Sequence, residues 1–293
     1  MIINYSISNN QTKFDYQTES IDEMTGMGET KIINLITSKG SVFFDYKLKQ
    51  PHNDILAFMC VIIFYPFIKN NLTFKFPISE RFLKQFKKIS NFKNTKVTSQ
   101  IINIPPYNGS KNLITVGGGL DSTSIMCLFK DALLYHQQGK EKVDVNLICK
   151  KIKMKETPYI VNNNVKDIIK EKQFTHWVTV FVGSLLIAMD NNVKNILLGS
   201  PLSSCIIKNN KFKYDNKKHK FIESLGIQFV YPLIGCSELI SCKILVDNNV
   251  YKYAIFCDGG INNKGCHKCS KCFRKNLELF LNGVNYTNPK QYF

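Results

Sequence analysis

The chain has 293 residues, which is long enough to bury a sizeable core in one large domain or two ordinary ones. Its content of 44% hydrophobic and 12% aromatic residues excludes a disordered chain. The formal net charge of +17 comes almost entirely from lysine, since Arg81 and Arg274 are the only arginines. Arginine is the preferred side chain for bidentate hydrogen bonds to bases and phosphates. A sequence-specific nucleic-acid-binding protein is therefore not expected, while weak nonspecific RNA binding stays open.

The first 105 residues are predicted to form an α+β region whose role the sequence does not indicate. Strands are expected at 31–37, 41–46, 72–76 and 97–104, and helices at 53–65 and 79–89. Ser79 is the expected N-cap of the second of these helices. Prolines and polar residues in Asn103–Asn112 mark a boundary, so the predicted domains are 1–105 and 106–293.

The longest apolar run, Ile55–Ile68, predicts a core helix rather than a membrane segment. It is too short to span a bilayer, contains Pro66, and is flanked closely by Asp54 and Lys69. No basic region precedes an apolar stretch at the N-terminus, so no signal peptide is expected. We therefore expect a cytoplasmic protein with no membrane partner.

Beyond the boundary, predicted strands and helices alternate along the chain. Strands are expected at 113–116, 143–148, 195–198 and 228–232, and helices at 122–136, from 165, at 175–190 and at 220–225. This alternation is typical of an α/β fold with a doubly wound parallel sheet. Ligands of such sheets bind beyond the carboxyl ends of the strands, which is where both the glycines at 117–119 and the segment 199–204 are predicted to lie.

The three glycines Gly117, Gly118 and Gly119 stand between a predicted strand and a predicted helix. Glycines there let backbone N–H groups approach a phosphate, and the helix N-terminus adds partial positive charge. The lysine of a Walker loop is absent, and Ser122 stands where a dinucleotide fingerprint has its third glycine. A plain turn, with Asp121 or Ser122 as helix N-cap, is the alternative.

The stretch GGGLDST resembles the S-G-G-x-D-S loop of the PP-loop ATP pyrophosphatases, with Gly117 in place of the first serine. The resemblance implies an adenine-nucleotide α-hydrolase-like fold that cleaves ATP between the α and β phosphates with Mg²⁺. It also implies that the loop holds pyrophosphate, that Asp121 organises Mg²⁺, and that Asp121 and Ser122 are the catalytic residues. The cofactor-binding residues so implied are Gly117, Gly118, Gly119, Leu120, Asp121, Ser122 and Thr123.

Four clustered cysteines near the C-terminus predict a metal site. Cys257, Cys266, Cys269 and Cys272 have the spacing C-x8-C-x2-C-x2-C, which lets four thiolates converge on one centre. A cytosolic chain does not keep disulfides, and such a ligand set fits a closed, structural Zn²⁺ site. An iron–sulfur cluster on the same thiolates and free thiols are the alternatives, and His267 is expected to lie between the ligands without binding the metal.

A PP-loop followed by this cysteine spacing resembles 7-cyano-7-deazaguanine synthase, the queuosine-pathway enzyme family. Arg274, just beyond the last cysteine, is also a feature of that family, whereas Cys236 and Ser237 stand where it has a lysine. The resemblance covers about Asn112–Leu281 and implies adenylation of a carboxylate substrate, small or macromolecular, an ammonia donor and a homodimer. Two alternatives stay open: a tRNA-modifying PP-loop enzyme, and a degenerate nucleotide-binding or scaffold protein.

Overall fold

The computed structural model describes residues 1–19, 25–27, 32–89, 92–138, 143–170, 181–200, 206–208, 211–213, 216–255, 266 and 269–284. The chain forms two compact units that interleave along the sequence. The first unit consists of Met1–Ser110, Val161–Lys194 and Asp215–Gln228, and the second of Lys111–Ile160, Asn195–Tyr214 and Phe229–Phe293. The domain boundary after residue 105 stays a prediction.

The secondary structure is mixed α/β. In chain order the described strands are β1 (Ile2–Ile7), β2 (Thr12–Gln17), β3 (Thr25–Met27), β4 (Ile32–Leu35), β5 (Lys39–Phe44), β6 (Asn71–Phe74), β7 (Lys96–Thr98), β8 (Lys111–Thr115), β9 (Leu133–Gln137), β10 (Tyr159–Val161), β11 (Ile169–Lys170), β12 (Val193–Leu197), β13 (Ile206–Lys208), β14 (Lys211–Lys213) and β15 (Gln228–Val230). The described α-helices are α1 (Asn53–Phe64), α2 (Glu80–Lys88), α3 (Leu120–Leu128), α4 (Val145–Ile152), α5 (Val165–Ile168), α6 (Ser184–Asp190), α7 (Asn216–Ser224), α8 (Glu238–Asp247) and α9 (Ser270–Leu281).

The first unit contains a five-stranded sheet in the order β5-β2-β1-β6-β7. Strands β1, β2 and β5 pair antiparallel, whereas β6 joins β1 and β7 in parallel. Helix α1 is buried along Asp54–Phe64, as the apolar sequence predicts for a core helix. Among the described residues, no helix is long and apolar enough to cross a membrane.

A buried carboxylate fixes the start of α2. Asp54 is fully buried and accepts hydrogen bonds from the Ser79 backbone N–H at 2.8 Å and the Ser79 hydroxyl at 2.5 Å. The same hydroxyl oxygen accepts from the Phe82 N–H, so the prediction of Ser79 as N-cap is confirmed. Arg81 lies 3.6 Å from Asp54 and donates to the carbonyl of Ile104, so this arginine has a structural role.

The second unit is built on an all-parallel five-stranded sheet in the order β10-β9-β8-β12-β15. Its core joins residues of α3, α4, α8 and α9 to those of β8 and β9. The chain passes from β8 outward to β9 and β10, and it then continues on the other side of β8 with β12 and β15. Strand β8 is therefore the central strand of this sheet.

Two predicted elements of the second unit are wrong. The helix expected at 122–136 ends at Leu128, and the apolar residues that follow form β9 instead. A strand buried on both faces reads as a continuous apolar run, which periodicity cannot distinguish from a helix. The strand expected at 143–148 is replaced by the start of α4 at Val145, because the Asp144 carboxylate accepts from the Leu147 N–H and caps a helix there.

Other predicted elements are confirmed with changed bounds. The strand predicted at 97–104 is limited to β7, after which Ile101 makes only an isolated bridge to Ile78. Helix α5 covers only Val165–Ile168. The described part of the helix predicted at 175–190 is α6, since residues 171–180 lie outside the described residues.

We expect the Asp54→Ala substitution to lower the free energy of unfolding by about 2–4 kcal/mol. It leaves two buried donors of Ser79 without their acceptor and removes the carboxylate that faces Arg81. Urea denaturation measures the change. Glu80→Ala is the control, because Glu80 pairs with Lys84 on the exposed surface and its loss is expected to cost about 1 kcal/mol or less. Equal losses in the two variants would contradict the role given to Asp54.

Candidate functional site

The glycine loop follows β8 and requires glycine at its middle position. Gly118 has a φ of +77°, and a Cβ there would lie 2.5 Å from a methyl carbon of Val143. A Cβ on Gly117 or Gly119 would meet nothing within 4 Å. The Gly118 carbonyl accepts a 2.8 Å hydrogen bond from the Ile255 N–H. The loop is thus fixed at its centre, and open space lies beside the glycines that flank it.

The loop lies where the strand order of the sheet changes direction, between β8 and β12. Parallel sheets bind their ligands at the carboxyl edge of such a position. The chain leaving β12 also reaches this edge, because a Cβ on Gly199 would lie 2.7 Å from the Ser122 backbone nitrogen. The segment after β12 therefore contacts the first turn of α3.

The first turn of α3 offers backbone donors rather than hydroxyl groups. The hydroxyls of Ser122 and Thr123 both donate to the Gly119 carbonyl, at 3.2 Å and 2.8 Å. Ser122, Thr123 and Leu120 are all buried. A helix N-terminus leaves its first N–H groups without partners in the helix and carries partial positive charge. Backbone N–H groups are thus the groups of this turn that could bind an anion.

Asp121 is the acidic residue of this first turn, and its carboxylate is only partly satisfied. Its Oδ1 atom is buried and has no hydrogen-bond partner among the described residues. Burial raises the pKa of Asp121, and the charges of Glu238 and Glu278 act in the same direction. The charge of Lys275 and the adjacent Ser241 hydroxyl lower that pKa but do not cancel the effect of burial. A cation or a hydrogen-bond donor could occupy the open side of this carboxylate.

A buried ion cluster lies beside Asp121 and joins α8 to α9. The Lys275 Nζ donates to Glu238 Oε2 at 2.6 Å and lies 3.3 Å from Glu278 Oε2. Arg274, which is half-exposed, pairs with the same two glutamates at 3.0 Å and 3.8 Å. Burial would lower the pKa of Lys275, but the bond to Glu238 and the charges of Glu278 and Asp121 raise it, so the lysine stays charged.

Three of the four predicted metal ligands come together. The Sγ atoms of Cys266, Cys269 and Cys272 all lie within 4.8 Å of one another, and those of Cys266 and Cys272 are 3.8 Å apart. Zn–S bonds of about 2.3 Å in a tetrahedron place two sulfurs about 3.8 Å apart. The three thiolates therefore fit a structural metal such as zinc, whereas Cys257 lies outside the described residues.

The sequence-predicted site residues Gly117–Thr123 lie together at the carboxyl edge of the sheet. Sequence reasoning missed the residues that surround Asp121, namely Glu238, Ser241, Lys275 and Glu278. Arg274, which the sequence marks only by its place after the last cysteine, pairs with glutamates of the ion cluster. No local motif marks these residues, because Glu238 and Lys275 are 37 positions apart.

One protein family matches part of the chain. It is described as a family of unknown function (DUF6395), and the match covers residues 217–289. This segment contains all four residues that surround Asp121, together with the four cysteines of the predicted metal site. No curated protein matches the chain significantly.

We expect Gly199→Ala to disturb the site, whereas Gly117→Ala leaves the fold unchanged. The new Cβ at position 199 meets the backbone of α3, which cannot yield as a flexible side chain does. Overpacking of this kind costs about 1–3 kcal/mol, whereas the Cβ at position 117 enters open space. Thermal unfolding of both variants measures the difference. Identical midpoints would show that the contact with Ser122 does not constrain the loop.

We expect the purified chain to hold one tightly bound zinc ion, which Cys272→Ser removes. Elemental analysis after dialysis measures the metal content. Cys149→Ser is the matched control, since Cys149 is a buried cysteine of α4 outside the three-cysteine group. Cys257→Ser tests the predicted fourth ligand. Full zinc retention in the Cys272 variant would contradict the assignment of this thiolate as a ligand.

Proposed function

We propose that the chain is a PP-loop ligase that adenylates a carboxylate substrate at the expense of ATP, releasing pyrophosphate. The observation that carries the proposal is the strand, glycine loop and helix at the change of strand order, with Asp121 half-buried in the first helical turn and its Oδ1 atom buried. The open space beside Gly117 and Gly119 fits a phosphate group that backbone N–H groups hold. The adenine-nucleotide α-hydrolase-like arrangement of a doubly wound sheet belongs to the same proposal.

The proposed reaction begins when a carboxylate oxygen of the substrate attacks the α-phosphorus of ATP. The bond from that phosphorus to the bridging α–β oxygen breaks, and the electron pair leaves with pyrophosphate. The product is an acyl-adenylate. Ammonia then attacks its carbonyl carbon, AMP leaves, and the proton lost from nitrogen passes to solvent. This gives an amide, which an enzyme similar to 7-cyano-7-deazaguanine synthase dehydrates to a nitrile in a second ATP-dependent step.

The residues of the loop divide this work. The N–H groups at the start of α3, with its partial positive charge, hold the phosphates of the leaving group. Asp121 has an open carboxylate oxygen and fits the role of a Mg²⁺ ligand. Mg²⁺, when bound, neutralises phosphate charge as the bond breaks. The cysteine site, proposed to hold zinc, has a structural role only.

A second candidate is a nucleotide-binding protein that does not turn ATP over. The observation that favours it is the arrangement of the first turn, where the Ser122 and Thr123 hydroxyls both donate to the Gly119 carbonyl. Gly117 also supplies no hydroxyl where the PP-loop motif has serine. Such a protein binds ATP and releases neither AMP nor ADP.

We expect the purified chain to convert α-labelled ATP to AMP and pyrophosphate with Mg²⁺ and a carboxylate substrate. Thin-layer chromatography of the labelled products, with 7-carboxy-7-deazaguanine in the substrate panel, tests this. Asp121→Asn should reduce turnover at least about 100-fold, because the neutral amide loses the Mg²⁺-binding charge.

Asp131→Asn is the matched control for this assay, since Asp131 is an exposed carboxylate paired with Lys155. Its turnover should equal that of the wild type. Formation of ADP in place of AMP would overturn the loop assignment. ATP binding without any product would favour the second candidate over the ligase.

A further inference from the structure

Lys275 is a buried cation that takes no part in the reaction steps proposed above. It is 7% exposed, and it lies in the second turn of α9. Its Nζ is held by Glu238 and Glu278, at 2.6 Å and 3.3 Å. A buried charge is costly unless it is paired, so a purely structural lysine here adds little net stability.

The position of α8 directs this lysine toward the first turn of α3. Glu238 and Ser241 are three residues apart and therefore lie on the same face of α8. The Ser241 carbonyl accepts from the Ser124 hydroxyl of α3 at 2.8 Å, so this face covers α3. Glu238 binds Lys275 from the same face, and the ammonium group lies near enough to Asp121 for the two charges to affect each other's pKa.

Two polar groups on this side have no hydrogen-bond partner among the described residues. One is Oδ1 of Asp121, and the other is the hydroxyl of Ser241, whose residue is fully buried. Buried polar groups are nearly always satisfied, so orphaned atoms such as these point to a ligand, an ion or a water. The Ser241 hydroxyl and the Lys275 charge both lower the pKa of Asp121, so all three groups lie in one neighbourhood.

Glu238 and Glu278, which bind Lys275, also have other hydrogen-bond or ion-pair partners. Arg274 reaches both of them, with Nη2 at 3.0 Å from Glu238 and Nε at 3.8 Å from Glu278. The Cys242 thiol also donates to Glu278 at 3.2 Å. If the Lys275 ammonium turns toward an anion, each carboxylate keeps a partner, so no buried charge is left alone. The cluster is therefore suited to release its lysine.

We propose that Lys275 is a phosphate-binding residue whose Nζ transfers from the two glutamates to the pyrophosphate portion of a bound nucleotide, while Arg274 keeps Glu238 and Glu278 paired. The inference rests on the proposed function, since it concerns the same loop. It supplies the lysine-type contact that a Walker loop has and this loop lacks. The cation comes from α9, more than 150 residues after the glycines.

Isothermal titration of sodium pyrophosphate into the zinc-loaded full chain tests the proposal. Lys275→Met should weaken the affinity about 10- to 100-fold, the loss expected for a charge-assisted hydrogen bond. Lys243→Met is the matched control, because it removes an equal charge from an exposed lysine of α8 that pairs with Asp247. Its affinity should stay within about twofold of the wild type at equal ionic strength.

A second variant separates binding from folding. The pair Lys275→Met with Glu238→Gln removes one cation and one carboxylate together, so the net charge of the cluster is preserved. This chain should have an unfolding midpoint close to the wild type and should still show the 10- to 100-fold loss. Wild-type affinity in this variant would show that Lys275 serves the fold alone and would overturn the proposal.

The remaining outcomes separate this proposal from the proposed function. If the wild type binds pyrophosphate and all variants bind equally, only the role of Lys275 is wrong. If Lys243→Met loses as much affinity for pyrophosphate as Lys275→Met, the loss comes from the lower net charge of the protein. That result would overturn the specific contact proposed for Lys275. If the wild type binds neither pyrophosphate nor ATP, both the proposed function and the role of Lys275 are wrong.

Discussion

The ion cluster formed by Glu238, Glu278, Arg274 and Lys275 is the constraint on which the candidate site depends. Buried charges must stay paired, and both Lys275 and Arg274 of α9 pair with Glu238 of α8, so the two helices are joined by this cluster. Helix α8 in turn packs on α3 through the hydrogen bond between Ser124 and the Ser241 carbonyl. The first turn of α3, and with it the open Asp121 carboxylate, is positioned by charges that come from the C-terminal part of the chain.

The opposing effects on Asp121 explain why such a cluster suits an anion site. Burial and two glutamates favour a neutral carboxyl, and they raise its pKa. The charge of Lys275 limits that rise in the pKa, because a nearby cation favours the charged carboxylate. A bound polyphosphate brings further negative charge, and a cation in the same place offsets it. The combination of an open carboxylate and a buried ammonium therefore fits a nucleotide with its metal ion better than a neutral ligand.

Features that depend on residues close together in sequence could be predicted, whereas features that depend on distant residues could not. Helix α2 and its Ser79 cap were predictable because capping acts over three residues. The stretch VDVNLI at 143–148 alternates like a strand, yet Asp144 caps a helix, so local pattern and local chemistry conflicted. Lys275 could not be recognised, since its pairing with Glu238 exists only after α8 and α9 pack. The glycine loop was readable because its glycines are adjacent in sequence.

The cysteine group fixes where α9 begins, and α9 carries the two cations of the ion cluster. Cys269 is the N-cap of α9, and its Sγ accepts from the Cys272 N–H, so the metal ligands set the start of this helix. Lys275 follows Cys272 by three residues on the same helix, so the start of α9 determines the direction in which the lysine side chain extends. Rotation of α9 by one residue, about 100°, would carry the ammonium away from Glu238. Upstream, Ile255 is bonded to the Gly118 carbonyl two positions before Cys257. A metal bound by these thiolates would therefore stabilise the positions of both Lys275 and the glycine loop.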